Sequence, residues 1–194
     1  MNDDLNPLKA AIRKIVSPDD EELAAFTNVF SIKKIKKKEV LLPEGMICRY
    51  IWFINKGLLR DYFHRDGLEV TAGFFKEGEF ITNYGSFISQ KPSKAYIDAL
   101  EDSELFGISY DSLQNLYSTS KTWERAGRLI AEQLFLESEQ KKDGLLSNSP
   151  DLQYLSMVQE RPDIVQRVPQ YYIASWLGVS PEHLSRIRKK IQGS

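Results

Sequence analysis

The sequence predicts an α+β fold: an N-terminal antiparallel β sandwich or barrel with flanking helices, one long helix, and a small C-terminal helical domain. Three observations carry this. Apolar residues recur at helical spacing before residue 30 and after residue 109. Between them lie short runs rich in β-branched and aromatic residues, broken by glycine and proline turns. The last 26 residues hold two short helical patterns that meet at a glycine.

The opening helices rest on Leu5, Leu8, Ile12 and Ile15, then on Leu23, Phe26 and Phe30. Ser17 is expected to cap the second, with Pro18 in its first turn and acidic residues at its positive end. The strand-like runs are 31–37, 39–42, 50–55, 57–64, 68–75, 95–99 and 104–109. They are broken at Pro43-Glu44-Gly45, Asn55-Lys56-Gly57, Asp66-Gly67 and Lys76-Glu77-Gly78. Turn spacing of this kind signals an antiparallel sandwich or barrel, with a hairpin tip at 64–67. The stretch 78–90 departs from the pattern and reads as a short helix or loop around Tyr84-Gly85-Ser86-Phe87.

A long helix is expected from about residue 120 to about 142. Trp123, Gly127, Ile130 and Leu134 are spaced four, three and four, a seam for another helix. Ala126, Leu129, Gln133 and Leu136 form an adjoining stripe, so two faces are apolar. Residues 144–150 (GLLSNSP) read as a linker. The expected division is a sensing roll with its N-terminal helices (1–118), the long helix and linker (119–146), and a terminal helical domain (147–194).

In that last domain Pro169 opens a helix with Ile173 and Leu177 inward. Gly178 sits where a tight helix–helix turn needs a positive φ. Ala174 is small enough for close crossing, Ser180 is an N-cap, and Pro181 occupies the first helical position. Leu184, Ile187 and Ile191 then face inward. This is a helix-turn-helix, and its second helix suits a major groove about 12 Å wide. Pro181, Glu182 and Arg186 are the expected base contacts, Arg186 to guanine and Glu182 to a cytosine amino group. Ser180, Ser185, Arg188 and Lys189 are the expected phosphate contacts, which position without specifying. Net charge is only −1, so DNA binding must rest on this local basic patch.

Other chemistries find little support. The single cysteine, Cys48, rules out an internal disulfide, a cysteine zinc site and an iron–sulfur cluster, and suits a reducing cytoplasm. His64 and His183 lie on unrelated elements, so no catalytic residues, metal site or haem are expected. No signal peptide or membrane-length apolar run is read, and a cytoplasmic protein without a membrane partner follows. The competing reading is a small-molecule sensor acting through protein contacts, with little or no DNA output.

With these parts in order, the chain resembles the CRP/FNR superfamily, that of the cyclic-AMP receptor protein and the fumarate–nitrate regulator. The resemblance runs over roughly residues 5–191. It is carried by LLPEG (41–45), IWFINKGLLRDYF (51–63), GEFITNYGSF (78–87) and the C-terminal motif. It implies a jelly-roll-like β-roll of cyclic nucleotide-binding type, a homodimer formed through the long helix, a palindromic DNA operator, and RNA polymerase as a further partner. It implies that the positions of Glu182 and Arg186 touch bases. The family's cyclic-AMP pocket carries Gly-Glu-Leu and, about ten residues on, Arg-Ser/Thr-Ala. Here those positions hold Thr82, Asn83 and Tyr84, then Ser93, Lys94 and Ala95. Both charged ligands are absent, so cyclic AMP is not the expected effector; these six residues form a degenerate effector pocket, and no cofactor is assigned. The terminal β-hairpin wing of the family is not expected either.

Overall fold

A computed structural model describes residues 5–192, the side chains of 140–147 and of residue 192 excepted. Helix α1 (Asn6–Arg13) has Pro7 in its first turn and buries Leu8 and Ile12. Helix α2 (Asp20–Asn28) is capped by Asp19 rather than by the expected Ser17. The Asp19 carboxylate accepts from the Glu22 amide at 2.8 Å, and Glu22 accepts from the Asp19 amide at 3.2 Å. Asp19 wins because its third residue onward is glutamate, long enough to reach back, whereas that of Ser17 is the shorter Asp20. Pro18 therefore lies outside the helix.

Eight strands follow: β1 (Ser31–Ile35), β2 (Val40–Leu42), β3 (Tyr50–Lys56), β4 (Leu58–Arg65), β5 (Leu68–Lys76), β6 (Phe80–Ile81), β7 (Tyr96–Ala99) and β8 (Ser103–Ser109). Helix α3 (Tyr84–Ser89) interrupts them between β6 and β7. They form two four-stranded sheets, ordered β1-β8-β3-β6 and β2-β7-β4-β5. The strand pairs are antiparallel. Asp66 and Gly67, both at positive φ, turn the β4–β5 hairpin where the sequence places it. Phe53, Leu59, Phe87, Leu105 and Phe106 fill the roll without solvent exposure.

Helix α4 (Tyr110–Thr119) leads into α5 (Lys121–Ser147), whose 27 residues span about 40 Å. The helix runs through 144–147, so the expected linker shrinks to Asn148 and Ser149. Glycine costs a helix about 1 kcal/mol and does not by itself end one. Ser149 and Pro150 provide the break by starting α6 (Pro150–Glu160). Then come α7 (Pro162–Arg167), α8 (Gln170–Trp176) and α9 (Pro181–Gln192).

The terminal helices do not form a separate core. Leu58, Phe74 and Leu100 of the roll join Tyr154, Met157, Ile164, Ile173, Leu184 and Ile187 in one apolar cluster. Beside it lies Arg60 of β4, 1% exposed. Its Nε donates to Asp98 at 3.0 Å and its Nη2 to Asp98 at 3.2 Å and to Glu69. The guanidinium lies 4.1 Å from the Tyr62 ring centre and 3.7 Å from that of Tyr172 in α8. Removing one partner of a buried pair strands the other. Arg60→Ala should therefore lower unfolding free energy by roughly 3–5 kcal/mol, read from urea denaturation curves. A loss below roughly 1 kcal/mol would mean that Asp98 is rehydrated without cost.

Candidate DNA interface and sensor pocket

The helix-turn-helix forms as its residue types require. Gly178 takes φ +67°, a conformation that costs a side-chain-bearing residue about 1–2 kcal/mol. The turn closes through Val179 N–H to the Ala174 carbonyl at 3.0 Å, and Ala174 is buried at the crossing. Ser180 caps α9 by accepting from the His183 amide at 3.2 Å. Leu184 and Ile187 are buried. Pro181, Glu182, Ser185, Arg186 and Lys189 are exposed together, as is the cap Ser180. The Ser180 hydroxyl holds the Glu182 carboxyl below its ordinary value, so Glu182 is ionised. Arg188 is only half exposed, its Nε buried without a partner among the described residues. Lys190 is turned toward α6, 2.9 Å from Asp151.

Helix α8 is held on the roll by contacts that no local pattern announces. Sheet edge β5 leaves backbone groups unpaired, and one hydroxyl satisfies two of them. Ser175 Oγ accepts from the Thr71 amide at 3.0 Å and donates to the Glu69 carbonyl at 2.7 Å. Ion pairs extend the contact. Arg161 Nη2 donates to both carboxylate oxygens of Glu79 at 2.8 and 2.9 Å, and its Nη1 donates to the Phe74 carbonyl at 3.0 Å. Arg167 bridges Glu77 at 2.8 Å and Glu101 at 2.7 Å. Lys76 meets Asp163 at 2.7 Å.

The six predicted effector residues do not converge. Thr82 Oγ1 donates to the Tyr50 carbonyl at 3.1 Å and touches Cys48 Sγ at 3.2 Å. Asn83 caps α3 by accepting from Ser86 N–H at 3.0 Å. Ser93 is buried and closes a local turn onto Ala95, and Lys94 is exposed. Of the six, Thr82 and Tyr84 reach a cavity of about 620 Å³ between the roll, α5 and α6. Composition gave no sign of this cavity, because its walls come from distant segments.

The expected seam on α5 is corrected in part. Trp123 is buried within the chain, stacked on Phe26 with centroids 4.3 Å apart. A Cβ on Gly127 would fall 2.4 Å from the Tyr117 hydroxyl of α4, so that glycine serves close packing inside the chain. Ile130 and Leu134 line the cavity. Among the described side chains of α5, the large apolar residues left to solvent are Leu134 (37% exposed), Phe135 (64%) and Leu136 (54%), the last on the adjoining stripe. Heptad spacing identifies an apolar face but not which partner covers it. Among the described residues no cluster of metal-ligating side chains occurs, and no helix is long and apolar enough to cross a membrane.

Residues 32–120 match the cyclic nucleotide-binding domain family. The CRP-like protein Clp of Xanthomonas campestris pv. campestris is 28% identical over 142 residues, 66% of this chain and 62% of that protein. The match thus spans less than two thirds of that relative. Solved structures share the fold. The c-di-GMP responsive global regulator CLP of Xanthomonas campestris has a TM-score of 0.67 at 22% identity, over 90% of this chain and 92% of that one. FixK2 of Bradyrhizobium japonicum gives 0.69 at 18%, over 85% of each. The Thermus thermophilus catabolite activator protein gives 0.58 at 17%, over 90% and 84%.

The ion pairs at this contact carry a pH dependence. Burial pushes the Glu77 carboxyl up, but Arg167 and backbone amides outweigh it and leave it below its ordinary 4.5. Lys76 lowers Asp163 below 3.8. A carboxyl with a lowered folded-state pKa stabilises above its ordinary value and loses that as pH falls through the lower one. Both carboxylates are more than a third exposed, so each is worth well under about 1 kcal/mol after screening. Stability should be flat near neutrality and fall below about pH 4.5, by a smaller amount in Glu77→Gln. Urea titrations across that range read it, and an unchanged slope in Glu77→Gln would remove Glu77 from the account.

Proposed function

We propose that the chain is a homodimeric DNA-binding transcription regulator of the CRP/FNR type, with a roll that senses something other than cyclic AMP. The relatives are regulators rather than enzymes. One observation carries the proposal: α9 presents Pro181, Glu182, Ser185, Arg186 and Lys189 on a single exposed face over a buried Leu184–Ile187 seat. Pro181, Glu182 and Arg186 read base edges, Arg186 by a fork on guanine O6 and N7. Ser180, Ser185, Lys189 and the half-exposed Arg188 hold phosphates.

Dimerisation uses the solvent-facing part of α5, where Leu134, Phe135 and Leu136 stand exposed. Two copies joined there set their recognition helices about one DNA turn, or 34 Å, apart. The argument against cyclic AMP is chemical. A cyclic phosphate needs a fixed cationic fork, and Ser93 and Lys94 supply a hydroxyl spent on Ala95 and a solvent-facing ammonium.

Selection from random duplexes with the purified protein should enrich a two-fold palindrome. Arg186→Ala should weaken operator binding by roughly 1–3 kcal/mol and relax one base position. Full discrimination in that variant removes the base-contact role. Leu136→Glu should give a monomer by sedimentation and lose most operator affinity, while a dimer with wild-type affinity places the interface elsewhere. No enriched site, with affinity insensitive to salt, favours a sensor acting through protein contacts.

A further inference from the structure

The roll has a second opening, to which α5 contributes nothing. Strands β1 and β2 are the outer strands of their sheets, and between them lies a groove of about 560 Å³. Small-molecule sites span roughly 300–1,000 Å³. Tyr50 and Trp52 of β3 stack along the groove with ring centres 4.9 Å apart. A Cβ on Gly107 would fall 2.3 Å from the Trp52 ring, so that glycine lets the indole lie flat on β8. Leu42, Ile97 and the exposed Met46 add apolar surface. The loop between β2 and β3 is held by its own backbone. Gly45 N–H donates to the Ser93 carbonyl at 2.8 Å and Ser93 N–H to the Met46 carbonyl at 2.9 Å. Cys48 N–H donates to Ser86 Oγ of α3 at 3.0 Å. A wall fixed in this way is formed before a ligand arrives, which lowers the ordering cost of binding.

The charges on this groove are of one sign. Lys33 of β1 and Arg49 line it, and no carboxylate does. The next lysines of the same segment are matched: Lys34 meets Glu104 at 3.0 Å and Lys36 meets Asp102 at 2.8 Å. Lys33 and Arg49 make no such pair among the described residues. Lys33 is half-buried, with its ammonium 6.0 Å from the Trp52 ring centre, the outer limit of a cation–π contact. An ammonium partly withdrawn from water and facing no counter-charge gains attraction from any anion that enters.

We propose that this groove is a ligand site of its own, and that it takes a planar aromatic carboxylate. The carboxylate accepts from the Lys33 ammonium and the Arg49 guanidinium, whose fork matches its two oxygens. The ring lies along Tyr50 and Trp52, where it gains aromatic contacts, and against Met46, whose flexible thioether adapts to its edge. An uncharged ring would keep the apolar contacts and forgo the charge, so the anion is the preferred occupant. The site requires neither DNA binding nor a second chain.

Methionine-methyl NMR on the intact protein tests this. The chain has three methionines; Met46 lines this groove, whereas Met157 lines the cavity beside α5. The two probes are naphthoate and its uncharged isostere naphthamide. Naphthoate should shift the Met46 methyl saturably through the ring current of the bound naphthyl group, and leave the Met157 methyl in place. It should bind at least about ten-fold more tightly than the amide. Lys33→Gln and Arg49→Gln should each weaken naphthoate about five-fold, the upper value for a partly exposed charge contact, and leave the amide unchanged. Both side chains reach the surface, so neither change threatens the fold, and Met46→Leu assigns the signal. A Met46 methyl that does not move, a larger shift at Met157 than at Met46, equal affinity for the amide, or indifference to both substitutions each overturns the proposal. The titration contains no DNA, so its result and that of the operator selection stand independently.

Discussion

The guanidinium of Arg60 sits where water does not reach, and its partners determine how the two halves of the chain meet. A charge there must be matched by fixed carboxylates and covered by rings. Asp98 comes from β7, Glu69 from β5, Tyr62 from Arg60's own strand β4, and Tyr172 from α8. Four elements are thus tied to one planar group. Desolvating Arg60 and Asp98 offsets most of the attraction, so the cluster adds more to specificity of arrangement than to net stability. With Tyr172 on the guanidinium, Ser175 one turn later meets the open edge of β5. That fixes α8, and α8 fixes α9 through Gly178 and the Ala174 crossing.

The near-neutral net charge has a similar explanation. Basic residues do two different jobs. Arg60, Arg161 and Arg167 are consumed inside the chain by Asp98, Glu79, Glu77 and Glu101. Arg186 and Lys189 have no such sinks and stay exposed on α9. A sum over the sequence mixes the two sets and hides a local positive face, which is what phosphates respond to within a Debye length of about 8–10 Å.

Local chemistry was legible in the sequence because it needs only neighbours. The hairpin turn at 66–67, the positive φ at Gly178 and the Ser180 cap all depend on contacts within a few positions, and each forms as expected. The α2 cap was misassigned to Ser17 because two cap residues compete there and the reciprocal glutamate decides. Turn spacing signalled an antiparallel sandwich or barrel, and apolar periodicity its flanking helices. Contacts between segments far apart in sequence were not legible. Nothing near Arg60 signals Tyr172, 112 positions away, and nothing in the α5 pattern says whether Trp123 and Gly127 meet another chain or their own. The effector positions illustrate the same limit. Their side-chain types were readable, but whether Ser93 faces a ligand or turns back onto Ala95 depends on backbone geometry.

Two kinds of contact join roll and terminal helices, and they differ in strength. The peripheral ion pairs are partly exposed and worth about 0–1 kcal/mol each. The shared apolar cluster of Leu58, Phe74 and Leu100 with Met157, Ile164 and Ile173 is buried throughout, at about 1.5–3 kcal/mol per side chain. Detaching the terminal helices would break the weak set at little cost but would also expose the strong one, which exceeds what a single small ligand can offset. A change of tilt is cheaper. Rotation of α5 and α6 about the buried cluster changes the shape of the cavity between them while leaving the cluster covered. Helix α9, whose Leu184 and Ile187 belong to that cluster, stays seated on it during such a change. The fold therefore favours repacking around a filled or empty cavity over release of a tethered domain.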